Sequence, residues 1–246
     1  MNYITSRTNE TIKRIASLAN SRERAHYQLF LAEGLRVCTT LCTSGMRLNH
    51  LYITEQMTAH AQQLAPDAVI TVVSPHVMEK ISQATTPSGI VGVFHIPPSP
   101  TTLQGPGIVL AQVREPGNVG TLIRSCAAFG MRTVIIVDSA DVWSHKVVQA
   151  SAGTLGSVDI FVMSWNELIE RKGSYRLCAL IVSGGNAPHA LDCTNSLLVV
   201  GNEAHGIPDA WIRDCEQKLT LPMPGNTESL NAAVAGSLGL YVIRKT

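Results

Sequence analysis

The 246-residue chain has little charge and few aromatics: charged residues are 15% and aromatics 5% of the total. A disordered, tail-rich protein needs more charge and less apolar content than the 45% found here. The net charge of +1 excludes a blanket of positive charge over the whole surface. Long hydrophobic runs are missing too. No stretch approaches the roughly 20 apolar residues of a membrane helix, and the opening Met-Asn-Tyr-Ile-Thr-Ser-Arg has no apolar signal core. The expectation is a soluble, cytoplasmic protein without a membrane partner.

Several functional signatures are also lacking. The six cysteines (Cys38, Cys42, Cys126, Cys178, Cys193, Cys215) include no C-x-x-C pair and no Cys/His cluster at zinc spacing, so no metal is expected. Most sit in apolar runs, which predicts free buried thiols in a reducing compartment. No G-x-G-x-x-G follows a strand, and no G-x-x-x-x-G-K-[ST] is present. Standard dinucleotide and triphosphate sites are therefore disfavoured, and with them a dehydrogenase-like α/β enzyme. A G-x-S-x-G nucleophile elbow is absent as well.

What is present is an α/β alternation in two parts. Helices are predicted over 8–20, 33–43, 55–64 and from Ser74-Pro75, a cap followed by a proline suited to the first turn. Strands are predicted at 50–53, 68–73 and 90–96. Pro97, Pro98 and Pro100 then interrupt the pattern and cannot join a ladder. They read as a linker, with a rigid loop inside one domain as the alternative. Beyond it, strands at 107–113, 133–137, 160–162, 177–182 and 197–200 alternate with helices at 118–129, 144–152, 165–172 and 230–244. Continuous apolar strands of this kind predict a mainly parallel sheet. The expected domains are residues 1–97, a linker at 98–106, and residues 107–246.

Charge is uneven along the chain. Residues 1–50 hold seven basic residues and three acids, a balance of +4, and the rest carries −3. Such a front end suits a phosphate backbone, or is simply a solvated helix face. Arg7, Lys13, Arg14, Arg22, Arg24 and Arg36 are the candidates to meet such a backbone.

Ligands of open parallel sheets bind beyond the carboxyl ends of strands. Three predicted strand ends carry loops rich in Gly, Pro and Asn: residues 114–120, 201–208 and 221–231. The first holds Asn118, Gly120 and Arg124, then Phe129-Gly130. The second is Gly201-Asn202-Glu203, with Gly206-Ile207. The third is Leu221-Pro222-Met223, Gly225 and Ser229-Leu230-Asn231. Together these resemble the SpoU (TrmH-like) family of RNA ribose 2′-O-methyltransferases in the SPOUT superfamily, over about residues 107–246. Phe30-Leu31-Ala32-Glu33-Gly34 with Arg36 is similar to the opening of that family's small substrate-binding domain, related to ribosomal protein L30e. Glu115-Pro116 stands where the family has Asp-Pro, which keeps the charge.

The resemblance implies a C-terminal α/β domain with a deep trefoil knot, behind an L30e-like α/β domain. It implies a homodimer with the active site near the subunit interface, and S-adenosylmethionine as methyl donor to a ribose 2′-hydroxyl of ribosomal or transfer RNA, with ribosomal RNA favoured by the extra front domain. Gly201, Leu221, Met223 and Leu230 would line the cofactor cleft, or be ordinary turn and core residues. Arg124 would act on the substrate, or be an arginine paired with Glu203 or Glu115. Asn118 and Ser229 read as helix N-caps that can also meet the substrate. Glu203 would hold Arg124 or Asn118, and Asn231 completes the set. His205 falls at a variable position and reads as a solvated loop histidine. The rival from another class is a catalytically inactive RNA-binding dimer of the same fold.

Overall fold

A computed structural model describes residues 2–225 and 228–245. The chain divides into two compact units: residues 1–98 with 141–156, and residues 99–140 with 157–246.

The first unit contains β1 (Asn2–Ile4), α1 (Glu10–Ser17), α2 (Ser21–Tyr27), β2 (Leu29–Glu33), α3 (Leu35–Thr43), β3 (Leu48–Ile53), α4 (Thr58–Leu64), β4 (Ile70–Val73), α5 (Pro75–Ile81) and β5 (Ile90–His95). Its sheet order is β1-β4-β3-β5-β2. The first three strands are parallel, and β5 runs antiparallel to β3 and β2. Side chains alternate across a strand, so successive residues of β3 serve opposite faces. Tyr52 joins Ile12, Ile15, Val77 and Met78 of α1 and α5, whereas Leu51 and Ile53 join Ala61 of α4. Helices thus cover both faces of this sheet.

The helix expected over 8–20 is α1, which is shorter, and α2 beyond it was not expected. Asn9 caps α1 by accepting from Thr11 N and Ile12 N, and Asn20 caps α2 by accepting from Arg22 N. An Asn side chain that takes up these amides starts a new helix just after the first one ends. Ser74 and Pro75 start α5 as their order predicts.

The segment Asp141–Gly156, with α7 (His145–Ala150), packs within the first unit. The Trp143 ring lies 5.0 Å from that of Phe30, and Gln149 Nε2 donates to Glu33 O at 2.7 Å. Arg24 anchors the segment and corrects its placement among the RNA-steering cations. Its side chain is 6% exposed, and it donates to Leu18 O, Ala19 O and the Asp141 carboxylate. Burying a guanidinium costs several kcal/mol unless it is paired, and these three acceptors supply the pairing. Arg7, Lys13, Arg14, Arg22 and Arg36 are exposed.

The second unit contains β6 (Gly107–Ala111), α6 (Pro116–Ala128), β7 (Thr133–Val137), β8 (Asp159–Val162), α8 (Trp165–Arg171), β9 (Arg176–Leu180), β10 (Ser196–Val200), α9 (Asp209–Arg213), β11 (Gln217–Leu219) and α10 (Ala232–Lys245). The order is β11-β9-β10-β6-β7-β8, with every pair parallel. All five residues of β6, β7 and β10 are buried, as strands covered on both faces must be. From the edge strand β11 the chain returns to pack α10 on α6, β10 and β9. Gly236 permits this approach, because a Cβ there would lie 2.4 Å from Leu122 Cδ2.

All six cysteines are free, and five are buried. Burial raises the thiols of Cys38, Cys126, Cys178 and Cys215 to about 12, so they stay protonated and act as core residues. Among the described residues no helix is long and apolar enough to cross a membrane.

Removing the Arg24 guanidinium leaves Asp141 without its cation and two backbone carbonyls without their donor. Arg24→Ala is expected to destabilise the protein by about 2–4 kcal/mol. Chemical denaturation checks this. An unchanged midpoint would show that Arg24 does not hold the segment.

Candidate active site

Every strand of the second sheet points its carboxyl end the same way, so the loops after β6, β9, β10 and β11 gather on one side. A positive φ of 60° at Gln112 turns the chain out of β6, and Asn202 Nδ2 donates to the Gln112 carbonyl at 2.9 Å. Asn202 also closes its own loop. Its Oδ1 accepts from Ala204 N and His205 N, and its backbone pairs both ways with Gly206. That hairpin is tight at its base: a Cβ on Gly201 would lie 2.3 Å from Gly206 C. No larger residue fits there without opening the loop.

Asn118 joins the three turns expected from the sequence. Its Nδ2 donates to Glu203 Oε1 at 2.9 Å, and its Oδ1 accepts from Asn231 Nδ2 at 3.1 Å. One buried amide thereby ties the loop after β6 to the loop after β10 and to the start of α10. This corrects its expected place as an N-cap. Glu115 caps α6 and Pro116 takes the first turn, which puts Asn118 one turn inside and frees its side chain. Ser229 is corrected likewise. Asn231 caps α10, accepting from Ala233 N and Val234 N, while Ser229 is exposed beside the cleft.

Glu203 is a hub for donors: Arg114 N, Glu115 N and Asn118 Nδ2 all point to its carboxylate. Partial desolvation raises its pKa, but the Asn118 amide and the backbone amides outweigh this and hold it below the usual carboxylate value. A carboxylate so held is a poor proton acceptor and a good anchor.

Beside this network lies a cleft of about 370 Å3. Gly201, Leu221, Met223 and Leu230 line it, as do Glu203 and Ser229. Sequence reasoning missed its other wall, Leu180–Val182 at the end of β9. The signal was there: Ser183-Gly184-Gly185 follows that strand, and Gly184 has a φ of 79°. His205 is exposed on the rim. Arg124 stands apart. It is exposed on α6, is not among the cleft residues, and has no ion-pair partner among the described residues. The alternative of an arginine paired with Glu203 or Glu115 is thereby corrected, since the Glu203 carboxylate is taken by Asn118 and two amides. Among the described residues no group of three His, Cys, Asp or Glu side chains is placed to hold a metal ion.

Because the folded-state pKa of Glu203 is depressed, its ionised form stabilises the fold above the ordinary value of 4.5, and that contribution is lost as pH falls through the folded-state value. Glu203→Gln should therefore flatten the loss of stability between about pH 5 and pH 3. Urea midpoints across that window test it. An unchanged slope would remove Glu203 from the hub.

Comparison with known proteins places this arrangement. The model of the SpoU rRNA Methylase family matches residues 106–241, and that of the MRM3-like substrate binding domain matches residues 9–92. RlmP of Bacillus subtilis, a 23S rRNA guanosine 2′-O-methyltransferase, is 24% identical over 99% of this chain and 100% of its own. A 23S rRNA uridine 2′-O-methyltransferase of Streptomyces viridochromogenes is 29% identical over 97% of this chain and 90% of its own. The crystal structure of an AdoMet-bound rRNA methyltransferase from Sinorhizobium meliloti superposes with a TM-score of 0.87 at 26% identity, covering 99% of this chain and 97% of that one. With the family model spanning more than half of its length and the three turns joined through Asn118, the chain belongs to the SpoU rRNA methylase family.

Proposed function

We propose that the protein transfers a methyl group from S-adenosylmethionine to a ribose 2′-hydroxyl of ribosomal RNA. The observation that carries this reading is the junction at Asn118, which holds the three motif turns beside one cleft. The cleft suits the methyl donor. Its volume falls within the range of about 300–1,000 Å3 usual for small-molecule sites. Leu221, Met223 and Leu230 offer apolar surface to a purine ring, and the strand ends at Leu180–Val182 and Val200–Gly201 offer backbone groups to its polar edge. The bound donor supplies a methyl already activated on a sulfonium, so neither a metal nor a covalent enzyme intermediate is required.

The chain's own residues then have to align the sugar oxygen and hold the charge of its neighbours. Asn118, fixed between Glu203 and Asn231, presents an ordered amide to the ribose. Glu203 positions Asn118. Ser229 offers a hydroxyl at the cleft mouth. Arg124 serves as an electrostatic clamp on the phosphate next to the target ribose. Arg7, Lys13, Arg14, Arg22 and Arg36 of the first unit provide further phosphate contacts. The inactive-dimer alternative is not favoured, because the relatives named above are enzymes and the catalytic set is complete here.

A homodimer belongs to this proposal, and supports the placement of Arg124. Val234, Leu238 and Tyr241 recur at helical spacing along α10 and are 49%, 46% and 49% exposed. An apolar stripe of this kind on a surface helix suits burial against a second copy. An arginine outside its own cleft would then serve the partner subunit's cleft. We place the protein in the cytoplasm, where ribosomal RNA is met.

Methyl-labelling of total ribosomal RNA with S-adenosylmethionine, followed by mapping of the modified nucleotide, should reveal one 2′-O-methyl site. Arg124→Ala is expected to lower turnover on the order of a hundred- to a thousandfold, with calorimetric binding of the donor unchanged. Near-normal turnover would overturn the mechanism. Leu238→Asp should yield a monomer in sedimentation velocity, and a persistent dimer would place the interface elsewhere.

A further inference from the structure

The first unit holds another cleft, of about 400 Å3, which methyl transfer leaves unused. It opens at the carboxyl ends of β1, β3 and β4 and is lined by residues that follow them, Thr54 after β3 and Pro75 after β4. Val73 and Met78 form a buried apolar floor. Tyr3 lines one side and is 59% exposed, in a chain with only five tyrosines. Glu55 and Glu79 are the charged residues of the lining, with Gln56 as a neutral polar neighbour.

The wall at Pro87–Gly89 is built rather than loose. Glu33 is 4% exposed, and its carboxylate accepts from Ser82 Oγ at 2.8 Å, Ser88 N at 3.1 Å and Gln83 N at 3.2 Å. A buried carboxylate persists only when its acceptors are satisfied, and here every side-chain bond goes to this one loop. Gly89 O accepts from Thr54 N at 2.8 Å. Gly89 itself has a φ of 79°, and a Cβ there would lie 2.8 Å from Thr54 Oγ1. The cleft is therefore preformed.

Charge selects the occupant. Two carboxylates repel a phosphate and attract hydrogen-bond donors. Glu79 lies 3.7 Å from His76 Nδ1, whereas the Glu55 carboxylate has no hydrogen-bond partner among the described residues. Outside the lining, Lys80 Nζ donates to the Arg7 backbone carbonyl at 2.9 Å. An apolar floor, an exposed phenol ring and a carboxylate acceptor match a flat heterocycle bearing amino groups. We propose that this cleft is a nucleobase subsite that takes an unstacked base with an exocyclic amino group from single-stranded RNA, stacked on Tyr3 and donating to Glu55. The proposal rests on the reading of the protein as an RNA enzyme.

Fluorescence anisotropy of the full chain with labelled hexaribonucleotides, without methyl donor, tests it apart from catalysis. Adenosine and cytidine hexamers are expected to bind about tenfold tighter than an abasic hexamer, with the uridine hexamer between them. Tyr3→Ala should bring all four to the abasic level. Glu55→Gln should erase only the preference over uridine. Equal binding of adenosine and abasic hexamers, or discrimination unchanged in Tyr3→Ala, would overturn the subsite. Either result leaves the methyl-labelling experiment, which judges the enzyme itself, untouched.

Discussion

The second unit turns on one buried amide. Asn118 has both ends of its side chain committed, the nitrogen to Glu203 and the oxygen to Asn231. Three segments far apart in sequence meet through it. Because Asn118 is buried, its amide lacks water as a substitute partner, whereas Glu203 and Asn231 are exposed, and breaking either bond leaves one end of that amide unsatisfied. That asymmetry makes the arrangement a constraint. Neither the loop after β10 nor the start of α10 can drift from the loop after β6 without stranding Asn118. The cleft beside it inherits its shape from this rigidity.

The all-parallel sheet explains why such a junction is possible at all. With six strands pointing one way, the exits of β6, β9, β10 and β11 fall on one side, and each exit is a loop rather than a hairpin. The loops then need local devices to hold them. Asn202 closes one by bonding its own backbone, Glu115 and Pro116 start α6 abruptly, and Asn231 starts α10 while also holding Asn118. Glycine at 201 and 236 allows the close approaches that leave no space for a side chain. Function here is a property of strand ends and caps, not of the core that supports them.

Much of this was legible in the sequence, and the failures share a cause. The β-branched run Thr133–Val137 and the apolar run Ser196–Val200 announce buried strands because burial on both faces leaves no polar alternation. Ser74-Pro75 announces a helix start because cap and proline act locally. The short elements β1, β2, β11 and α9 span three to five residues, too few to show a period. Asn118 and Ser229 were read as caps because each stands near the start of an apolar pattern. The actual caps, Glu115 and Asn231, are three residues earlier and two residues later. Helix starts tolerate such shifts, and only the hydrogen bonds decide between neighbouring candidates.

Arg24 shows the same limit with charge, and it changes how RNA recognition should be understood. A run of basic residues says how many cations exist, not where they face. With Arg24 turned inward onto Asp141, which lies outside the first fifty residues, the basic front end presents a weaker field than its +4 balance suggests. Phosphate contacts carry affinity that fades with salt and holds no sequence information. Outward cations such as Arg7, Arg14, Arg22 and Arg36 therefore cannot by themselves find one nucleotide in a large RNA. Selectivity has to come from groups that meet bases and sugars at fixed positions. The ordered amide of Asn118 in one unit and the preformed cleft beside Tyr3 in the other are the groups we propose for that task, each held by a carboxylate, Glu203 or Glu33, whose hydrogen bonds serve the loops around it.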